Sequence, residues 1–491
     1  MSLVLNDLLE AVSDVEVMGD SRVPISELQF DSRKVRSGDV YFAAKGTLVD
    51  GHKFIDGAIE KGAKAIICED LPHNPIKGVT YVRVPNTRLA LGIMANCFYG
   101  APSQKLTLIG ITGTNGKTTI ATLLYNIFSE LGYRCGLLST IRNLVNGKEI
   151  PSTHTTGDAL QICQLMALMI DADCQYCFME VTSHAIDQHR IAGLKFDAGL
   201  FTNLSHDHLD YHKTMESYRD TKKLFFDNLG ADTFCLTNID DPVGSYMVEG
   251  SRARCLSYSH LGSADYALDV KELTGSGIKM SINGVNVEAP MVGEFNAYNL
   301  AATFGTAVEL GIPENDIVRR IREIEGVEGR MQPVPSSANI SAIVDFAHTP
   351  DGLQKAAEAL RQLTPRDAEF IIVIGCGGDR DQDKRAEMGR IAAEIASTAI
   401  FTSDNPRSEK PESIIQQMLD GTSHELKSGI IVEPDRRKAI SLAVSNRPAN
   451  SVILVAGKGH EKFQDIQGVK LEFDDVEVLR EALEELAKDD L

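Results

Sequence analysis

Apolar and polar positions alternate along this chain in a way that changes from one third to the next. The last third is the most regular. "SAIVDFA", "EFIIVIGC", "TAIFTS", "GIIVEP" and "SVILVAG" are short apolar runs of strand length. Amphipathic stretches such as "DGLQKAAEALRQL" lie between them. Strand-length runs alternating with helical periodicity predict βαβ units and a parallel sheet. The middle section opens on the strand "KLTLIGIT" and the helical "IATLLYNIFSELG", and continues the alternation. The first section holds shorter strands and turns: "FDSRKVRSGDVYFAAKG", "AKAIICED" and "VTYVRV", ending at "YGAPSQ". A linker, "PVPSSAN", precedes the final section. The expected organisation is three α/β domains at 1–101, 102–333 and 334–491. The 491 residues are too many for one core, so about three domains is also the prior from length.

Composition narrows the function. Hydrophobic content of 43% and charged content of 24% are ordinary for a globular protein. A formal charge of −20 argues against a general nucleic-acid binder, because no basic stripe can neutralise phosphates. Anionic small ligands need only local positive charge and stay open. Nine cysteines are scattered, and Cys174 and Cys177 make a lone C-x-x-C without a second ligand pair. Packed thiols in a reducing compartment are the simpler expectation. The start, "MSLVLNDLLEAVSDVEV", is amphipathic and acidic, with neither a basic leader nor a long apolar run. A cytoplasmic protein without stable membrane insertion is therefore expected.

The clearest chemical signal is "GITGTNGKTT", between a strand and a helix. Glycines let the backbone approach an anion, and amides plus the helix dipole face it. Gly113, Thr114, Asn115, Gly116, Lys117, Thr118 and Thr119 are candidate nucleotide ligands. Lys117 would neutralise β/γ-phosphate charge, and Thr118 would offer its hydroxyl to Mg²⁺. The strict phosphate-loop pattern fails only at its first glycine, where Ile111 stands. Glu180 emerges at the end of the strand "CFMEV", where a carboxylate could hold magnesium. "HDHLDYH" packs His206, Asp207, His208, Asp210 and His212 together, as a hydrogen-bonded turn or as a metal or substrate site. Lys222 and Lys223 lie on an amphipathic helix, and each taken singly reads as a surface residue.

In the last section, "HTPDG", "GCGGDRDQDKR", "SDNPR" and "GKGHE" each follow a strand. Ligands of open α/β sheets bind beyond the carboxyl ends of strands, so one shared pocket is expected. Pro406 fixes its own φ and biases Asn405 towards extended geometry, stiffening the loop that carries Asp404 and Arg407. A stiff turn with a solvent-exposed arginine is the alternative.

The series "GTNGKTT", "MEVTSHAIDQHR", "FTNLSHDHLDYH", "GEFNAYNLAA", "EGRMQPV", "DFAHTPDGL", "GCGGDRD", "SDNPR" and "AGKGHE" runs in one order through most of the chain. It resembles the Mur ligase family, most closely the type that adds 2,6-diaminopimelate. The resemblance reaches the first section through "FDSRKVRSGDVYFAAKG". It implies a UDP-MurNAc-binding first domain, a central phosphate-loop ATPase domain and a Rossmann-like domain for the amino acid. The implied reaction joins meso-diaminopimelate to UDP-MurNAc-L-Ala-D-Glu in peptidoglycan precursor synthesis. ATP is cleaved to ADP and phosphate through an acyl phosphate.

By the same resemblance, Thr118 and Glu180 serve one Mg²⁺, and Glu180 and His208 a second. Lys222, four residues after Tyr218, matches the lysine that the family carries as a CO₂ adduct. Asn296, Asn299, Arg330 and Asp345 are placed around ATP. Phe30, Ser32, Gly46, Thr47 and Leu48 match the uridine end. His154, Thr155, Thr156, Thr182, Ser183, Gln188 and Arg190 match the sugar-peptide and diphosphate. Arg380, Asp404, Asn405, Pro406, Arg407, Gly457 and Glu461 match the diaminopimelate site.

The resemblance casts Arg407, with Asn405, as the reader of the distal carboxylate that L-lysine lacks. An L-lysine-adding relative, a folylpolyglutamate synthase-like ligase and an ATP-gated binding protein are the alternatives. A monomer is expected. Ala386 departs from the proline that relatives often carry after "KR".

Overall fold

The computed structural model describes residues 3–46, 49–150, 157–275, 277–336, 340–445, 447–448 and 450–489. Thr47, Leu48, His154, Thr155 and Thr156 lie outside them. Each section builds its own sheet. The first has five strands in the spatial order Glu16–Met18, Thr80–Arg83, Ala65–Cys68, Val40–Phe42, Leu28–Gln29.

The second is an eleven-stranded sheet. At its centre Thr107–Thr112 runs parallel between Tyr176–Glu180 and Ala198–Phe201. Alternate residues of these strands enter different cores: Ile109, Phe178 and Leu200 on one side, Leu108, Met179 and Phe201 on the other. Burial on both faces is why these strands read as continuous apolar runs. Antiparallel hairpins at both edges complete the sheet.

The third sheet has six strands in the order Gln332–Val334, Ser341–Asp345, Val452–Ala456, Phe370–Ile374, Thr398–Phe401, Ile430–Val432. The last five run parallel, and Gln332–Val334 joins as an antiparallel edge. Gln332 and Pro333, read from sequence as the end of the middle section, therefore pair with the third sheet. Phe370, Ile372 and Ile374 face one core, Ile371 and Val373 the other. Cys174 and Cys177 are buried free thiols. Among the described residues no helix is long and apolar enough to cross a membrane.

Candidate active site

The phosphate loop leaves the strand Thr107–Thr112 and enters the helix Lys117–Glu130. Gly116 takes φ +88°, and a Cβ there would lie 2.5 Å from Asn299 Oδ1, so glycine suits both backbone and neighbour. The following strand end braces the loop: Thr114 N donates to Asn203 O at 2.8 Å, and Thr202 Oγ1 to Asn115 O at 2.6 Å. Lys117 Nζ donates to the carbonyls of Gly113 (2.9 Å) and Thr114 (2.8 Å). Burial lowers its pKa.

Beside the loop lies a cavity of about 500 Å³ whose walls come from both the central and the third sections. Asn115, Gly116 and Thr119 line one part, and Arg330, Asp345 and Phe346 another. Asn296 and Asn299 are interior residues of the helix Glu294–Glu309, not caps. Asn299 Nδ2 donates to Asn296 Oδ1 at 2.9 Å. Arg330 stacks on Phe346, 4.5 Å from the ring centre, and donates to Thr118 Oγ1 at 3.1 Å. Its Nε is buried and has no hydrogen-bond partner among the described residues. Asp345 instead accepts the backbone N–H groups of Met331 (2.6 Å) and Ala347 (2.8 Å).

Asp240, which lines the cavity, and Asp351, beside the phosphate loop, escaped the sequence reading. Asp240 accepts from Ser259, the His260 backbone and Tyr298, at 2.5, 2.6 and 2.9 Å. Asp351 accepts from Asn115 Nδ2 (2.8 Å) and Ser205 Oγ (3.1 Å), tying the third section to the phosphate loop.

The two adjacent lysines separate cleanly. Lys223 Nζ meets Asp227 and the Glu249 carbonyl at the surface. Lys222 is buried, lies 4.7 Å from the Tyr218 ring centre and donates to Gly113 O at 3.0 Å. Burial, with the charge of Lys117 adding to it, drives its pKa well below the ordinary lysine value. Glu180 is buried, with its oxygens accepting from Thr140 N (2.7 Å) and Thr140 Oγ1 (3.0 Å). His208, at φ +56°, sits 3.3 Å from Asp207 Oδ2, and burial pushes its pKa down to about 3.

Among the described residues no three His, Cys, Asp or Glu side chains converge as a metal cage. Thr118 and Glu180 nevertheless fit Mg²⁺, which takes few protein oxygens and fills its shell from phosphate and water. A second ion near His208 needs Lys222 to be anionic, since a protonated amine would repel it.

The "HDHLDYH" turn packs onto "TSHAIDQHR". His212 Nε2 pairs with Ser183 Oγ at 2.9 Å, and Tyr211 OH donates to Asp187 Oδ2 at 2.5 Å. Thr182 caps its helix by accepting from Ala185 N at 3.2 Å. Arg190 donates to Gln188 Oε1 through Nε (3.2 Å) and Nη2 (2.7 Å), and burial lowers its pKa. In the first section Phe30 is exposed, and Gly46 N bonds to Val49 O at 2.9 Å. Ser32 supplies its carbonyl to Lys61 at 2.8 Å.

The four loops of the third section meet at one end of its sheet, with His348 within electrostatic reach of Lys384 and His460, and the Phe346 and His460 ring centres 4.9 Å apart. "HTPDG" turns towards the nucleotide cavity, which His348 and Gly352 line. The other three knit together. Arg407 stands at φ +50°, unusual for a residue with a side chain. It is held there by its N–H to Asp465 O (3.0 Å) and its carbonyl to Gln467 N (2.8 Å). Its guanidinium donates to Gly378 O at 2.7 Å. Among the described residues no carboxylate lies within ion-pair distance of it. Arg380 is exposed and equally without an acid partner. A Cβ on Gly377 would lie 3.1 Å from Arg407 Nη1 and 3.6 Å from Arg380 Cγ, so both arginines flank one open strip of backbone.

Asn405 is committed within the protein. Its Nδ2 donates to Glu461 Oε2 at 2.7 Å, and its Oδ1 accepts from Asp465 N (2.9 Å) and Lys458 Nζ (3.2 Å). One N–H of its amide therefore orients Glu461, and its carbonyl oxygen is taken up within the protein. Asp404 is buried, and Gly457 at φ +111° leaves room for it: a Cβ would come 2.7 Å from Asp404 Oδ2. Beneath the loops, Arg385 bridges both oxygens of Glu409 (2.7 and 2.8 Å) and donates to Gly377 O (2.9 Å). Arg436 pairs with Asp475, both fully buried, and donates to the carbonyls of Ser403 and Ala456. Neither arginine was singled out from sequence.

Comparison with known proteins matches the Mur ligase family, catalytic domain, at residues 24–99 and the Mur ligase middle domain at 111–307. The Mur ligase, glutamate ligase domain matches at 329–459. A Bacteroides thetaiotaomicron protein named UDP-N-acetylmuramoyl-L-alanyl-D-glutamate–2,6-diaminopimelate ligase is 45% identical, over 98% of this chain and 99% of its own. A Cytophaga hutchinsonii protein of the same name is 44% identical, over 99% and 100%. A solved structure with that name superposes at a TM-score of 0.69, with 30% identity, covering 99% of this chain and 100% of its own.

Proposed function

The chain belongs to the Mur ligase family, and on that premise we propose that it adds meso-2,6-diaminopimelate to UDP-N-acetylmuramoyl-L-alanyl-D-glutamate, with ATP cleaved to ADP and phosphate. This is a ligation in peptidoglycan precursor synthesis. A free carboxylate of the dipeptide attacks the γ-phosphorus, ADP leaves, and the incoming amine displaces phosphate from the acyl phosphate.

In this reading the loop Gly113–Thr119 cradles the phosphates, with Lys117 supplying charge from one side. Arg330 reaches Thr118 from the far side, positioned by its stack on Phe346. Mg²⁺ bound through Thr118 and Glu180 would offset negative charge as phosphate and carboxylate approach. Burial lowers the Lys222 pKa well below the ordinary lysine value, which favours the free amine that takes up CO₂ to become an anionic group. Gln188 and Arg190 are assigned to the diphosphate and peptide of the UDP-sugar. One chain lines both sides of the nucleotide cavity, which favours a monomer.

The observation that carries the choice of amino acid is Arg407: a guanidinium fixed by backbone on a strained turn and paired with a carbonyl rather than an acid. Diaminopimelate brings the carboxylate that this site lacks, and Glu461, oriented by Asn405, would meet the adjacent ammonium. The test is a substrate-omission assay with the purified chain. ADP release should require both the UDP-dipeptide and meso-diaminopimelate. Equal release with either one omitted would refute the ligase reading.

A further inference from the structure

Away from the nucleotide, the strands Phe234–Asn238 and Arg254–Ser259 run side by side and parallel, with Cys235 directly opposite Cys255. The two sulfurs are 3.2 Å apart, and the Cys235 thiol donates to Cys255 Sγ. Among the described residues this is the one thiol–thiol contact. Neighbouring strands lie about 4.8 Å apart, inside the roughly 4.4–6.8 Å Cα range that a disulfide spans. The pair is asymmetric: Cys255 is exposed, whereas Cys235 is buried. Of the other seven cysteines, Cys97 is half-buried and six are buried. Burial, with the hydrogen bond to Cys255 adding to it, raises the Cys235 pKa, so the exposed Cys255 is the sulfur that an oxidant reaches first.

We propose that Cys235 and Cys255 form a dithiol site for peroxide-class oxidants, closing to an intramolecular disulfide between two strands of the central sheet. The Cys255 thiolate attacks one peroxide oxygen, breaking the O–O bond. This gives a sulfenic acid and, with one proton, water. The Cys235 sulfur then attacks the Cys255 sulfur, forming S–S, and its proton leaves with the hydroxyl as a second water. Two thiols lose two electrons and two protons, and one peroxide is reduced to two waters. The strands so joined carry Asn238 and Tyr258, which line the nucleotide cavity. The inference does not depend on which amino acid the enzyme adds.

The test exposes the full chain to hydrogen peroxide, quenches with iodoacetamide under denaturing conditions, and maps peptides without reduction. The peptides carrying Cys235 and Cys255 should appear joined, with loss of two hydrogens. Both should return as alkylated thiols after dithiothreitol. In Cys255→Ser, a change at an exposed position, Cys235 should remain a free thiol under the same exposure. Three results would overturn the proposal: Cys255 fully alkylated after peroxide, Cys255 carried to sulfinic acid without a joined peptide, or either cysteine linked to another partner or another chain.

Discussion

Around the phosphate loop, the inward-facing Lys117 points at the backbone carbonyls of Gly113 and Thr114. Among the third-section loops, Arg385, Arg436 and Lys458 each meet a carboxylate: Glu409, Asp475 and Glu461. The two arrangements do different work. A carbonyl satisfies an N–H but leaves the positive charge uncompensated, and that charge is then available to a ligand anion. A carboxylate neutralises the cation and makes it a strut. Arg407 is the third-section cation that follows the phosphate-loop pattern, with a carbonyl for its partner. Cations left without an acid are thus assigned to substrate, and paired ones to holding the loops.

The largest expected effect is at Lys222, the lysine beside the phosphate loop that the proposed CO₂ adduct turns from a cation into an anionic group. Lys222→Ala should lower turnover by about 10³-fold, the cost of losing one preorganised charge in a reaction site. A small carboxylate such as acetate should restore part of it. Unchanged turnover in steady-state ADP release would remove Lys222 from the chemistry.

Removing a cation of the second kind should act on stability. Arg385→Met strips the partner from Glu409, which is only one-fifth exposed, and should destabilise by about 3 kcal/mol. Denaturant unfolding checks the loss. Preference between amino acids should persist in the molecules that remain folded, and a loss of preference would make Arg385 a ligand contact.

The smallest effect sharpens the same point by pH. Hydrogen bonding to Arg385 lowers the Glu409 pKa from an ordinary 4.5 to about 2. A depressed carboxylate stabilises the fold fully above its unfolded pKa and loses that contribution as pH falls through the folded value. The difference in thermal midpoint between wild type and Glu409→Gln should therefore be constant above about pH 4.5 and shrink towards pH 2. A constant difference down to pH 2 would show that the ion pair contributes nothing.

These contrasts also explain what sequence could and could not reveal. The phosphate loop was legible because its chemistry is local: glycines, a lysine and a threonine between one strand and one helix. Four of the five parallel strands of the third sheet were legible because burial on both faces leaves apolar runs, while the edge strand Ile430–Val432 reads as apolar although largely exposed. Lys222 and Lys223 were ambiguous in isolation. Only the helix facing, with Tyr218 and Gly113 on one side and Asp227 on the other, separates them.

The ties from Asn405 to Glu461 and Asp465 were not legible, because those partners lie more than fifty residues away along the chain. Arg385 and Arg436 were missed for a related reason. A buried arginine in a charged stretch looks like a surface residue until its distant acid is found. An arginine at helical spacing from Met388, Gly389 and Ala392 was the available hint for Arg385.

The central claim is that Arg407 waits for a carboxylate from the incoming amino acid. It is tested most directly by kcat/KM for meso-diaminopimelate and for L-lysine, in wild type and in Arg407→Ala. The wild type should prefer diaminopimelate by about 10⁴-fold, because lysine would leave a desolvated guanidinium unpaired. The variant should lose most of that ratio through a slower reaction with diaminopimelate. Equal rates in the wild type, or an unchanged ratio in the variant, would contradict the account.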